Sequence, residues 1–373
     1  MAARTDERLM ARAIELAQRG LLATAPNPCV GAVLAREGEI VAEGWHTAHG
    51  HPHAEREAIA DARRKGVDTA ACDLYVTLEP CNHHGRTPPC TEAVLEAGIR
   101  RVVVGCADPN PAVAGGGADF LRQRGVAVEM GVLERECRDL IADFTTWTLQ
   151  KRAYCILKLA QTLDGRIASR SALPEAVSGP DSQCRVHELR RLCGAVVVGG
   201  GTLRADNPRL TCRLPEAERQ PLAVVVTRSL PWPDEERFWL LMHRHRELIF
   251  WTSEEGADSD QGKALSASQV RVWPLPETGH GLDLRAGLSR LHSETGVHRA
   301  LCEGGGRLAF ALARQGVADE LRVFVAPKVL GDARAVPSFQ GDWAPAMNEA
   351  LGFRFTGAET SGEDMMLTLR PRE

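Results

Sequence analysis

Hydrophobic positions in the first 150 residues switch between two periods. Leu9, Ala13, Leu16 and Ala17 recur at helical spacing, and Gly20 offers a stop. Cys29 to Leu34 and Glu39 to Ala42 predict two short strands around a turn containing Gly38. His53 to Lys65 predicts a helix, with Pro52 before it and Gly66 after it. Leu74 to Leu78 and Arg101 to Cys106 are compact apolar runs, expected as buried strands. Between them, Cys90 to Ala97 predicts a helix that stops at Gly98. Ala118 to Arg124, followed by Gly125 to Val128, repeats the helix–strand unit. One long helix is expected from Glu134 to about Leu149. This alternation predicts a layered α/β domain with a mainly parallel sheet.

A second α/β pattern begins near Tyr154. Strands are expected at Tyr154 to Leu159, Ala195 to Val198, Leu222 to Val226, Arg299 to Cys302 and Leu321 to Val325. Helices are expected at Asp181 to Leu192 and Arg307 to Arg314. Leu230-Pro231-Trp232-Pro233 is a turn-rich loop. Asp234 to Gly281 carries little periodic signal and is expected to be irregular. The boundary falls between Leu149 and Ala153, giving domains over 1–149 and 153–373. No internal repeat or low-complexity tract is visible.

Composition narrows the class. The chain has 373 residues, 44% of them hydrophobic and 25% charged, as in ordinary globular proteins. A net charge of −4 and 5% aromatics give no footprint for a nucleic-acid partner. The 11 cysteines are an odd number and scattered singly, unlike a secreted disulfide framework. A reducing compartment fits them, and the cytoplasm is expected. The N-terminus shows no signal peptide, and no apolar run is long enough for a membrane span.

Chemistry concentrates in two clusters. The first is His51-Pro52-His53-Ala54-Glu55; the second runs from Glu79-Pro80-Cys81 to Cys90. A His-x-Glu followed by Pro-Cys and a later Cys is the donor pattern of zinc-dependent deaminases, in which the glutamate is not a ligand. One imidazole and two thiolates leave a fourth position for water, as in catalytic zinc sites. His53 and Glu55 start one helix and Cys90 starts another, where positive helix ends favour thiolates. His53, Cys81 and Cys90 are therefore the expected zinc ligands, with Glu55 as the proton carrier. A structural zinc, or no metal at all, is the competing reading. His46, His49, His51, His83 and His84 compete as ligands, and their density suggests a polar, substrate-facing pocket. Asn27, His46, His83 and Arg86 are the candidate substrate contacts.

Several segments together resemble one family. They are Pro26 to Val33, Glu43-Gly44-Trp45-His46, His53-Ala54-Glu55, the Glu79 to Cys90 run and Asp108-Pro109-Asn110-Pro111. They look like the deaminase half of the bifunctional riboflavin-biosynthesis deaminase–reductases. The eight residues between Cys81 and Cys90, with Gly-Arg-Thr-Pro-Pro among them, are specific to it. The second half is similar to the same family's reductase. Lys158-Leu159-Ala160, Leu163 to Ala168, Val198 to Thr202, Ala205 to Pro208, Glu303 to Gly306 and Asp319 to Leu321 carry that likeness. The resemblance implies a cytidine-deaminase-like three-layer domain followed by a dihydrofolate-reductase-like domain. It implies zinc in the first and NADPH in the second.

For the reductase half, residues alone leave two readings. Neither glycine triplet completes a Rossmann fingerprint, and each could be a tight turn or a phosphate cradle. The resemblance implies that Ala160, Thr202, Asp206, Gly305, Gly306, Arg307, Leu308, Ala309, Phe310 and Ala311 meet the cofactor. It implies that Arg190, Leu210, Arg213 and Glu303 meet a phosphoribosyl pyrimidine, and guanidinium groups suit its phosphate. The chain departs from the family where Pro174 and Ala176 replace a serine and a tryptophan. It departs again at Leu140-Ile141, where the family has Leu-Asn. The expected partner is that small molecule, with no nucleic acid or membrane, in a homo-oligomer. Rival readings are an active deaminase with a degenerate reductase, a nucleic-acid deaminase fused to an unrelated α/β domain, and a zinc-stabilised nucleotide sensor.

Overall fold

A computed structural model describes residues 2–21, 23–83, 88–111, 116–170, 175–217, 219–342 and 346–372. The chain folds as two compact units, Met1–Lys151 and Arg152–Glu373.

Unit one runs α1 (Ala2–Gln18), β1 (Gly31–Arg36), β2 (Glu39–Trp45), α2 (Ala54–Arg64), β3 (Asp73–Leu78), α3 (Cys90–Glu96), β4 (Arg101–Cys106), α4 (Gly117–Gln123), β5 (Ala127–Met130), α5 (Glu134–Leu140) and α6 (Ala142–Thr145). Its five-stranded sheet has the order β2-β1-β3-β4-β5. Only β3, β4 and β5 are parallel; β1 is antiparallel to both its neighbours. The sheet is thus mixed, not mainly parallel, because Glu37 and Gly38 close β1 and β2 as a hairpin with positive φ at both.

Strand alternation sends side chains to two cores. Ala32, Leu34, Leu74, Val76, Val102 and Val104 pack under Ala58, Ile59, Val94 and Leu121 of α2, α3 and α4. Val33, Ala35, Tyr75 and Val103 pack under Leu9, Met10, Ala13 and Leu16 of α1. That makes three layers. Gly44 is needed where α2 crosses β2, since a Cβ would strike the Ala58 nitrogen and the Ala54 carbonyl. This close approach seats the start of α2, with His53 and Glu55, against the sheet. The expected single helix from Glu134 is broken at Ile141, and residues 146–150 form a π turn. Asp143 accepts the Phe144 N–H (2.8 Å), a local bond that competes with continuing the first helix.

Unit two contains β6 (Tyr154–Thr162), β7 (Arg166–Ala168), α7 (Pro180–Leu192), β8 (Ala195–Gly199), α8 (Gly200–Asp206), β9 (Leu222–Val226), α9 (Trp239–Arg244), β10 (Leu248–Thr252), α10 (Glu254–Asp258), α11 (Asp260–Ala267) and β11 (Arg271–Pro274). It continues with β12 (Glu277–Thr278), β13 (Gly281–Leu282), α12 (Leu284–Thr295), β14 (Arg299–Cys302), α13 (Gly306–Arg314), β15 (Glu320–Ala326), β16 (Val336–Pro337), β17 (Phe353–Ser361) and β18 (Asp364–Pro371). The nine-stranded sheet has the order β11-β10-β9-β8-β14-β6-β15-β18-β17. Strands β11 to β15 in that order are parallel, and β18 and β17 add an antiparallel hairpin.

The stretch from Asp234 to Gly281 is regular, contrary to expectation. Its β10 is buried at all five positions and its β11 extends the sheet. Ser253 and Ser259 cap α10 and α11, accepting from Gly256 N (3.1 Å) and Gly262 N (3.1 Å). One face of the sheet packs on α12 and α13 through Leu284, Leu288, Leu291 and Leu312. The other packs on α8, α9 and α11 through Leu203, Leu240, Leu241 and Leu265. Arg152 opens the unit fully buried, held bidentate by Asp319 at 2.6 and 2.7 Å.

Candidate active sites

In unit one the loops after β3 and β4 and the N-terminus of α2 converge on a cavity of about 370 Å³. Parallel strands leave such a crevice at their carboxyl ends. His53 is the N-cap of α2 and Glu55 the second residue of that helix. Cys81 follows β3, and Cys90 is the first residue of α3. His53 Nδ1 lies 3.5 Å from Cys81 Sγ and 3.3 Å from Cys90 Sγ. All three donor atoms fall within 4.8 Å of one another. Tetrahedral zinc with ordinary Zn–S and Zn–N lengths sets an S···N spacing of about 3.5 Å. The donor set therefore fits the metal in both chemistry and spacing.

Glu55 is buried, and its Oε2 has no hydrogen-bond partner among the described residues. Burial pushes its carboxyl pKa up, against the opposing pull of His53. Cys81 is drawn toward the thiolate by hydrogen bonds from Cys90 and His53, including the Cys90 N–H at 3.4 Å. His46 is buried, with Nδ1 3.1 Å from the Pro52 carbonyl and Nε2 3.3 Å from Asn27 Nδ2. Burial lowers its pKa, so the imidazole is held neutral beside the cavity.

Asn27, His46, His49, His51 and His83 all line this cavity with His53, Glu55 and Cys81. Among the described residues only His53 of these histidines joins the two cysteines in a ligand group. Arg86 and His84 lie outside the described residues. Two further wall residues, Asp108 and Asn110, belong to the Asp-Pro-Asn-Pro segment, whose sequence alone points to no particular role. Asp108 accepts the Asn110 N–H (2.9 Å), and burial raises its pKa.

In unit two the carboxyl ends of β6, β8, β9 and β14 surround a cavity of about 930 Å³. The glycine turns after β8 and β14 open α8 and α13 there. Among the described residues, apart from chain neighbours, nothing lies within 4 Å of where a Cβ of Gly199, Gly201 or Gly305 would sit. These bare backbone segments at helix starts suit a dinucleotide's phosphates. Of the expected cofactor residues, Ala160, Thr202, Asp206, Gly305, Gly306, Arg307, Leu308 and Ala311 line the cavity. Ala309 instead packs in the core, and Phe310 is not in the wall.

Of the expected substrate residues, Arg190, Leu210 and Glu303 line the same cavity. Arg190 and Glu303 form a bidentate pair at 2.6 and 2.9 Å, and Arg190 also donates to the Thr211 carbonyl (2.9 Å). Arg213 is exposed outside the wall, with its Nε 3.2 Å from His187 Nε2. Ala176 borders the cavity, while Pro174 lies outside the described residues. The missed residue is Lys158, a cation on the buried strand β6 that faces the cavity near Glu303. Burial lowers its pKa below the ordinary 10.5, and Glu303 opposes that fall.

Two sites of this kind on one chain define a class: a cytidine-deaminase-type unit joined to a reductase unit. Residues 3–106 match the family model of the cytidine and deoxycytidylate deaminase zinc-binding region. Residues 153–367 match that of the RibD C-terminal domain. The chain belongs to the RibD family of riboflavin biosynthesis proteins, and is a bifunctional deaminase and reductase of that pathway.

It is 38% identical to riboflavin biosynthesis protein RibD of Actinobacillus pleuropneumoniae over 363 residues, covering 97% of this chain and 94% of that one. With the Escherichia coli K12 protein the figures are 37% over 372 residues, covering 98% and 99%. Among solved structures it is similar to the diaminohydroxyphosphoribosylaminopyrimidine deaminase/5-amino-6-(5-phosphoribosylamino)uracil reductase of Thermotoga maritima (37% identity, 100% of both chains, TM-score 0.78). Acinetobacter baumannii RibD, form 1, gives 32% identity, 100% of both chains and a TM-score of 0.76. The match of residues 153–367 shows that unit two is not an unrelated α/β domain.

Proposed function

We propose that unit one deaminates a phosphoribosylamino-pyrimidine and that unit two then reduces its ribosyl group to ribityl with NADPH. The observation that carries the first half is the trio of donor atoms within 4.8 Å, set beside a buried Glu55 carboxylate oxygen with no partner among the described residues. His53, Cys81 and Cys90 would hold zinc, which supplies an activated water near neutral pH when bound. Glu55 takes one proton from the attacking water and gives it to the ring nitrogen, then takes the proton left on the added hydroxyl and gives it to the departing ammonia. Asn27 and the neutral His46 orient the pyrimidine, and His83 and Arg86 contact its phosphoribosyl arm.

In unit two the backbone of Gly305 and Gly306, with Thr202 and Asp206, would seat NADPH, which supplies hydride when bound. Arg190 and Glu303 hold the substrate against the cavity floor. Reduction breaks the bond between ribosyl C1 and the ring oxygen; C1 gains the hydride and the oxygen needs a proton. Lys158, which lines the cavity near Glu303, is the proposed donor of that proton, and its lowered pKa makes it a stronger acid. None of the 11 cysteines is joined in a disulfide, which supports a cytoplasmic, reducing setting. A homo-oligomer remains the expected assembly.

Metal removal tests the division of labour. Dialysis against a strong chelator is expected to end ammonia release and added zinc to restore it. NADPH oxidation with the deaminated compound should continue throughout. Ammonia release that survives complete zinc loss would refute the reading of unit one.

A further inference from the structure

The chain returns to Cys90 through two prolines, and an arginine on the neighbouring helix grips both. Arg56 follows Glu55 on α2. Its Nη2 donates to the Pro88 carbonyl at 3.0 Å and to the Pro89 carbonyl at 3.0 Å. Pro89 is the N-cap of α3, so the second carbonyl belongs to the residue directly before the ligand. Proline rings fix φ, so pinning two successive proline carbonyls also fixes where the backbone of Cys90 begins.

Cys90 is tied to the Cys81 side by other bonds. Thr91 N–H donates to the Cys81 carbonyl (3.3 Å) and Thr91 Oγ1 to Asn82 Oδ1 (2.8 Å). Those bonds link the two cysteines to each other. The bonds from Arg56 link them to the helix that carries His53. The guanidinium Nε is buried with no acceptor among the described residues. Holding it there carries a desolvation cost that a solvated surface arginine does not bear.

We infer that Arg56 is a positioning residue of the metal site, clasping Cys90 to α2 and thereby slowing zinc loss. The inference rests on the reading of His53, Cys81 and Cys90 as zinc ligands. A wide spacing makes a clasp useful. The eight residues between the cysteines leave more backbone freedom to be restrained than a two-residue spacing would. Partners that orient metal ligands are typically worth a 10- to 100-fold change in metal affinity, so an effect of roughly that size is expected here.

The test is zinc transfer from the zinc-loaded full chain to an excess of chromogenic chelator. Arg56→Met keeps the stem and removes the donors; it should release zinc roughly 10- to 100-fold faster than the wild type. Arg56→Lys keeps one cationic donor and should fall between the two. Release from Arg56→Met at the wild-type rate overturns the inference. So does equal acceleration by Arg64→Met, a change at an exposed arginine paired to Asp61 on the same helix, since that would mean general loosening of α2. Should Arg56→Met fail to fold, Arg56→Gln keeps a single amide donor and is measured in its place, with the same two outcomes. A wild-type chain that takes up no zinc would instead sink the ligand assignment itself.

Discussion

Glu55→Gln is expected to release ammonia at least about 100-fold more slowly than the wild type, at the low end of what a positioned proton carrier contributes. The substitution keeps the shape of the side chain. It leaves His53, Cys81 and Cys90 untouched, so zinc content should be unchanged. What disappears is a group able to accept a proton from water and return it. Glu55 is buried, and its Oε2 has no hydrogen-bond partner among the described residues. NADPH oxidation with the deaminated compound should stay at the wild-type rate, because Glu55 lies in the other unit. Full ammonia release by the variant would remove Glu55 from the mechanism.

Lys158→Met should have a comparable effect on the second reaction, a fall in kcat of about 10²- to 10⁴-fold. Methionine matches the length of the stem and removes the ammonium. The cofactor's glycine turns are untouched, so NADPH binding followed by fluorescence should be close to normal. Ammonia release should not change. In the wild type, reduction should also fall as pH rises and the ammonium is lost. Burial lowers this pKa, so the fall is expected below the ordinary lysine value of 10.5. A methionine variant that reduces substrate at the wild-type rate would assign the proton to another donor.

The parts most legible in the sequence were those where burial imposes a period. Strands such as Val102-Val103-Val104 and helix stops such as Gly66 and Gly98, both at positive φ, follow from local chemistry. The deaminase donor set was legible because ligand types and helix starts coincide within short segments. Other features were hidden for physical reasons. Leu248 to Thr252 is a five-residue run buried on both faces, too short for periodicity to separate from loop. Strand β17 is the sheet's edge and mostly exposed, with Phe355 64% exposed, so no apolar alternation marks it.

Lys158 could have been noticed as the lone cation in the apolar run Cys155 to Ala160, the kind of exception that burial tolerates only for a reason. Arg213 shows the opposite limit. The family resemblance implied a substrate contact, but whether its side chain faces the cavity or His187 depends on tertiary placement. Arg56 gave no sequence signal at all, since its partners are backbone carbonyls more than thirty positions away.

The central claim is that one chain carries out two successive reactions at two sites. Its most direct test supplies the zinc-loaded chain with the phosphoribosylamino-pyrimidine and NADPH and follows both products. One NADPH should be oxidised for each ammonia released, with ammonia appearing first. Ammonia release with no NADPH oxidation, even when the deaminated compound is added directly, would contradict that claim and leave unit two as a reductase fold without its reaction.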